Sequence, residues 1–280
     1  MSSVVAANPE DPIYAVYAGI NLATFIKGAI NLLSLAGLNV INLKFDPQGL
    51  HIKELATPKG GQTILFTGDL GGLQLTYEYN MPVDYYYMPV ETNALEEEIK
   101  CGKSDGLELI ITPEAYEQLK LCIKSTKIGP GGGNLHTISM VRTGEYRDYR
   151  VPVYPEGHLA QVKVEEFVSY MKRLQTSKNK NVKFIISPDK IEVVSGKTIQ
   201  GTGSFYEFGR MNRKNRLVQP VEFALEPATI KVLYNTGNLA DKGDNVAIFW
   251  SPAQPLMFEY NWANCGPFRI YVYPPQQTSA

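Results

Sequence analysis

Two stretches of this chain, 142 residues apart, carry the same spacing of helix, strand, turn and strand. Phe25 heads an apolar-striped segment, and Asn39-Val40 opens a strand fourteen residues later; Phe167 heads another, and Asn181-Val182 opens its strand after the same interval. A turn follows in each copy, Asp46-Pro47-Gln48-Gly49 and then Ser187-Pro188-Asp189-Lys190. Alternating apolar pairs continue both, Leu50/Ile52 and Ile191/Val193. The offset is half of the 280-residue chain, so the spacing predicts a duplicated unit and two similar halves, residues 1–156 and 157–280. Coincidence between two ordinary αβ hairpins is the alternative.

Composition narrows the class of chain that carries this repeat. Hydrophobic content of 44% and charged content of 20% are those of an ordinary globular protein, long enough to bury a core. A formal charge of −1 gives no global basic field, so any nucleic-acid contact must come from a local patch. Cys101, Cys122 and Cys265 have no CxxC spacing, which argues against a disulfide framework or zinc site and fits a reducing compartment. The opening MSSVVAANPEDP lacks the basic region and apolar core of a signal peptide. No apolar run reaches the ~18 residues of a membrane helix. A soluble intracellular protein is expected.

Taken in order, Ile13–Gly19 alternates as a strand and Ala23–Leu35 carries a helical stripe at Phe25, Ile26, Ala29, Leu32 and Leu33, with Gly37 as its stop. Val40–Phe45, Leu50–Leu55, Thr63–Thr67 and Leu73–Tyr79 read as strands between turn sequences. Pro82–Gly106 reads as an inserted loop, with a tyrosine cluster, an acidic piece and room for a helical turn. A strand is expected at Leu107–Thr112 and a helix at Pro113–Thr126, with Thr112 as its N-cap. Strands at Leu135–Arg142 and Tyr146–Val153 close the first half. The second runs through Leu159–Val164, a helix Glu165–Thr176 and the hairpin Val182–Val194. It ends with a strand Ser204–Phe208, a helix Ala228–Tyr234 and strands Asn245–Ser251, Leu256–Asn261 and Phe268–Tyr273.

Catalytic patterns fail on inspection. Ser195-Gly196-Lys197-Thr198 imitates the end of a phosphate loop, but the required first glycine is Ile191. Gly201 and Gly203 lack the third glycine of a dinucleotide fingerprint, which is Tyr206. His51, His136 and His158 are scattered, with no HExxH or GxSxG pattern. No enzyme, cofactor or metal is expected. What remains is basic. Lys120, Lys124 and Lys127 fall on one face of the expected helix 113–126. Lys172 and Arg173, with Lys178, Lys180 and Lys183, cluster on and after the helix from Glu165, and Arg210, Arg213, Lys214 and Arg216 form a third group. Each group is also what a merely solvated face looks like.

The C-terminal run LMFEYNWANCGPFRIYVYPP tips that balance. It resembles the C-terminus of the sliding-clamp family of proliferating cell nuclear antigen (PCNA): Leu256, Glu259, Tyr260, Ala263, Gly266, Tyr271 and Pro274 fall, without a gap, where that family has the same residues. The resemblance extends over about Val162 to Pro275 and more loosely over Ile13 to Thr67. It implies an α+β chain of two similar clamp-type domains, each with antiparallel sheets and two helices. The implied function is a DNA sliding clamp, or polymerase processivity factor, working as a homotrimeric ring around double-stranded DNA in the nucleus or at a viral replication site. Lys27 and Lys172 then match channel positions, and Lys120, Lys124, Lys127, Arg173 and Lys178 join them as DNA-binding candidates. Gly28, Ser34 and Ser169 stand where the family tends to have basic residues. Tyr271, Val272, Tyr273 and Pro274 become the groove for a short peptide of DNA polymerase and other clients. Tyr146 and Tyr149 on one edge, with Ser204 and Tyr206 on the other, become the subunit interface. Two other uses stay open: a clamp-fold protein serving viral transcription or checkpoint signalling, and a β-rich scaffold that never meets DNA.

Overall fold

The computed structural model describes residues 15–19, 22–70, 76–98, 106–113, 119–126, 134–139, 148–154, 157, 159–176, 182–195, 204–208, 210–211, 220–262 and 266–275. The first half runs β1 (Ala15–Gly19), α1 (Leu22–Leu35), β2 (Val40–Asp46), β3 (Gly49–Ala56), β4 (Ile64–Leu70), β5 (Thr76–Tyr79), β6 (Tyr86–Glu91), α2 (Thr92–Glu98), β7 (Gly106–Pro113), β8 (Leu119–Thr126) and β9 (Asn134–Ser139). The second runs β10 (Ala160–Lys163), α3 (Val164–Thr176), β11 (Val182–Ile186), β12 (Ile191–Ser195), β13 (Ser204–Phe208), β14 (Arg210–Met211), β15 (Val221–Leu225), α4 (Pro227–Leu239), β16 (Asn245–Phe249), β17 (Leu256–Trp262) and β18 (Gly266–Val272). The chain is α+β, and every described strand pair is antiparallel.

Element for element, the second half repeats the first. The sheet order β5-β1-β7-β8-β9 recurs, nine strands on, as β14-β10-β16-β17-β18, and β6-β2-β3-β4 recurs as β15-β11-β12-β13. The halves meet where β18 pairs with β4 over Phe268↔Gly68 to Val272↔Ile64, fusing two of the four sheets into one of nine strands. Helix α1 packs on α2, α3 on α4, and α1 on α4, so the four described helices form one row, α2-α1-α4-α3.

Alternation along the central strands decides which side faces that row. Leu256, Phe258, Tyr260 and Trp262 of β17, with Phe268, Ile270 and Val272 of β18, join Ile30, Leu33, Phe167 and Leu233 in one core. The residues between them, Met257, Glu259, Arg269 and Tyr271, face the opposite side. Helix α1 ends as Gly37 implies: at φ +90 its N–H bonds Ser34 O, and Leu38 N–H reaches back to Leu33 O. Helix α4 starts with Pro227 in its first turn and no side-chain cap from its own sequence. Gln62, from the other half, ties down the residue that leads into it: its Oε1 accepts the N–H of Glu226 at 3.1 Å, while its Nε2 donates to Ala224 O and Tyr273 O.

Three expectations are corrected. The stretch expected as a helix, 113–126, holds the end of β7 and all of β8. Its Leu119-Lys120-Leu121-Cys122-Ile123-Lys124 alternates with period two, and β8 is laddered on both sides by β7 and β9. Residues 148–153, expected in a strand, are irregular, since Pro152 removes a ladder donor. The stretch 82–106, expected as an insertion, supplies the regular elements β6 and α2, the counterparts of β15 and α4; the helical turn expected there is α2.

Candidate nucleic-acid interface and partner face

The helix row presents its charge sparsely. Lys27 of α1 is half-buried, while Lys172 and Arg173 of α3 and Lys231 of α4 are exposed. Against them stand exposed Glu165 on α3 and Glu97 on α2, and between them lie exposed neutral residues such as Asn31, Ser34, Ser169 and Asn238. Glu165 and Glu166 occupy the first turn of α3 and Arg173 the last, where each charge complements the helix dipole. At Gly28 a Cβ would come within 2.9 Å of both Leu239 methyls, so a basic side chain there would have to displace the end of Leu239. Lys120 and Lys124 lie on strand β8, not on a helix, and pair in register with Ser139, Thr112, Leu135 and Glu108. Lys183 is on β11, its ammonium 2.7 Å from Glu222. Lys127, Lys178 and Tyr146 lie outside the described residues.

Strand β13, which carries Ser204 and Tyr206, ends the four-stranded sheet, paired on one side with β12. On the other expected edge, residues 148–151 are irregular, and the five-stranded sheet ends at β9, Asn134–Ser139. Nine strands separate β9 from β18 and β4 from β13, so the two strands left at these edges are the counterparts of the pair that joins the halves.

On the side of the nine-stranded sheet away from the helices, a charged network crosses that join. Arg269 of β18 donates to Glu259 at 2.6 Å and to Asp69 of β4 at 3.3 Å. Asp69 meets His51 Nδ1 at 2.8 Å, and His51 Nε2 meets Asp46 at 3.0 Å, with Lys44 2.8 Å from the same carboxyl. Burial works to lower the His51 pKa, but the two carboxylates outweigh it and raise it. The His51 hydrogen bond holds Asp69 below the usual carboxylate range, and Asp46 is lowered too, its partial burial outweighed by bonds from Lys44, His51 and the Gln48 N–H.

Beside the network lies an apolar patch of Leu65, Met257 and Tyr271, ringed by Leu55, Phe249 and Tyr273. The segment between the halves runs over it. Tyr149, Val151 and Tyr154 pack on the patch, and Tyr154 stacks against Tyr271 with centroids 6.3 Å apart, tilts against Phe249 and donates to Pro255 O at 2.5 Å. Burial pushes the Tyr154 and Tyr271 hydroxyls above their ordinary pKa. Of the expected partner residues, Tyr271 lies beneath this segment, Tyr273 is half-buried at the patch margin, Pro274 is exposed and Val272 is inside the main core. Tyr149 belongs to the patch cover, not to a strand edge.

Sequence reasoning missed Lys231, a lone cation inside the expected helix Ala228–Tyr234 and outside the three basic groups, and it missed β9 as a sheet edge. The network was not legible: of Asp46, Asp69 and Arg269, the first two fall in sequences read as turns and only Arg269 lies in an expected strand. Among the described residues, no group of three or more His, Cys, Asp or Glu could hold a metal ion, and no helix is long and apolar enough to cross a membrane. No protein-family model and no curated protein sequence matches the chain significantly.

Proposed function

We propose that this chain is the subunit of a DNA sliding clamp, a non-enzymatic ring that encircles duplex DNA and tethers polymerase and other clients. One observation carries the reading. The two halves share a plan, they join through β18 and β4, and the counterparts of those strands, β9 and β13, stand at the sheet edges. A contact of β9 on one copy with β13 on the next repeats the internal join, and the same head-to-tail step closes into a ring once the rotation allows. Three copies are proposed on the resemblance of the C-terminal run to clamps.

The helix row would line the channel, with Lys27, Lys172, Arg173 and Lys231 as its cations. Lysines on flexible stems attract phosphates without fixing a register, which suits sliding better than base-reading contacts. Clients would dock on the outer patch beside Tyr271, Tyr273 and Pro274. The sparse helix charge favours a second reading, a ring-forming scaffold that does not hold DNA. Light scattering combined with salt titration of DNA binding tests both. The clamp reading expects three times the 31.2 kDa subunit mass. It also expects binding that ignores sequence, with a log–log salt slope that flattens by up to about 2.7 when Lys27, Lys172 and Lys231 all become Ala, about 0.9 for each phosphate that is no longer neutralised. A ring without DNA affinity selects the scaffold, and a strict monomer at micromolar concentration rejects both.

A further inference from the structure

The segment that covers the outer patch is held there as a ligand would be. Residues 148–154 form a strap with anchors at Tyr149, Val151 and Tyr154, one aliphatic and two aromatic side chains, seated on Leu65, Met257 and Tyr271. With the strap in place those three residues are 0%, 4% and 2% exposed. No ladder ties it down. Among the described residues no backbone–backbone hydrogen bond links 148–153 to the sheet, whereas neighbouring β17 and β18 are paired over seven residues. Its polar ties are the Tyr154 hydroxyl on Pro255 O and the ion pair of Asp148 with Lys53, whose carboxyl is 68% exposed. Solvent-exposed ion pairs of that kind add little. Hydrophobic anchors are therefore the main hold.

We propose that this strap is a built-in competitor for the client face: it occupies the patch in cis and must leave before a peptide with one aliphatic and two aromatic anchors can enter. The inference rests on the client-docking part of the proposed function and adds its regulation. The patch cannot hold both occupants, so the apparent affinity for a client falls by the fraction of time the patch is open. A short tether keeps the strap at an effective concentration on the order of millimolar, which screens out weak peptides while admitting strong or multivalent ones. Its release also frees Lys53 from Asp148, turning a neutral margin of the patch basic for the incoming chain.

The test compares wild type with the triple variant Tyr149→Ser, Val151→Ser, Tyr154→Ser by fluorescence anisotropy, with folding checked by circular dichroism. One labelled probe is the peptide of residues 148–154; the other is a client-type peptide with one aliphatic and two aromatic anchors. The expected result is that the variant binds both at least about tenfold more tightly than wild type, whose patch is already filled. Client peptide binding equally to both proteins, or more weakly to the variant, overturns the competition and leaves the client face standing. Client peptide binding to neither protein overturns the client face and the competition with it. Tyrosine modification on wild type needs no variant: client peptide should raise the reactivity of Tyr149 and Tyr154 toward a tyrosine-nitrating reagent, read by mass spectrometry, and unchanged or lower reactivity at both overturns the proposal.

Discussion

Glu54 sits on β3 in phase with Leu50, Ile52 and Ala56, on the side that faces the helices, and only 5% of its surface is exposed. Its carboxylate takes the Asn42 backbone N–H at 2.5 Å and the Asn42 side-chain amide at 3.1 Å. Burial pushes its pKa up to about 7, although those two bonds pull the other way. The folded state thus keeps a proton that the unfolded chain releases near pH 4.5. That contribution to stability is complete below pH 4.5 and is lost as the pH rises through about 7. Glu54→Gln keeps the acceptor oxygen and removes the charge. At pH 8 the variant should exceed wild type by roughly 1–3 kcal/mol in urea unfolding, and the gap should close near pH 4.5. A gap independent of pH would mean that Glu54 does not titrate in this range. His51, raised by its two carboxylates, shifts stability in the same direction, whereas the lowered Asp46 and Asp69 stabilise at higher pH and lose that effect on acidification. Leu50 and Ile52 set the inward phase that Glu54 continues, but with Leu55 and Ala56 breaking the alternation neither its burial nor the Asn42 amide that receives it can be read from sequence.

At the scale of elements, Gly237 shows how closely the helix row is built. It lies inside α4, where a Cβ would come within 2.6 Å of Val168 Cγ2 on α3. Alanine at an open helical site stabilises by roughly 0.5–1 kcal/mol relative to glycine. Here the overlap is with a β-branched side chain whose rotamer is fixed in a helix, so overpacking, typically 1–3 kcal/mol, wins. Gly237→Ala should therefore lower stability by about 1–2 kcal/mol in thermal or urea unfolding; a stabilised variant would mean that α3 and α4 can move apart. The helices with a clear apolar stripe, α1 and α3, were legible to within a few residues, as was the C-terminal run of strands. Residues 113–126 were not. Thr112, Pro113 and Glu114 make a good helix start, and Lys120, Lys124 and Lys127 at i, i+4, i+7 all fit one helical face, whereas only the first two fit alternate positions of a strand. Antiparallel pairing with β7 and β9, the strands just before and just after it, decided it. The repeat at offset 142 was legible because helix and hairpin spacing survives in both halves. The counterparts β6 and β15 share no spacing signal, so the first looked like an insertion.

Across the whole molecule, the described strand edges set where copies can meet. Backbone N–H groups along a strand point alternately to its two sides, so one of Phe205→Pro and Tyr206→Pro removes a donor from the free edge of β13 while sparing its ladder to β12. That variant should lower the assembly state in light scattering with little change in subunit melting; the other should lower both. If neither alters a multimeric wild type, β13 is not a contact edge. The internal join that the proposed contact would repeat is secured by more than its ladder. Besides the β18–β4 ladder it has Arg269 bonded to Asp69, and Gln62 reaching Ala224, Glu226 and Tyr273 across the halves. It also has the polypeptide itself, which holds both sides together at any dilution. A seam between chains has no such backing, and its occupancy falls as protein is diluted. A closed circle of these subunits would therefore have doors only at its β9–β13 seams, one per chain, and a duplex without free ends could be admitted there while every within-chain join stayed shut.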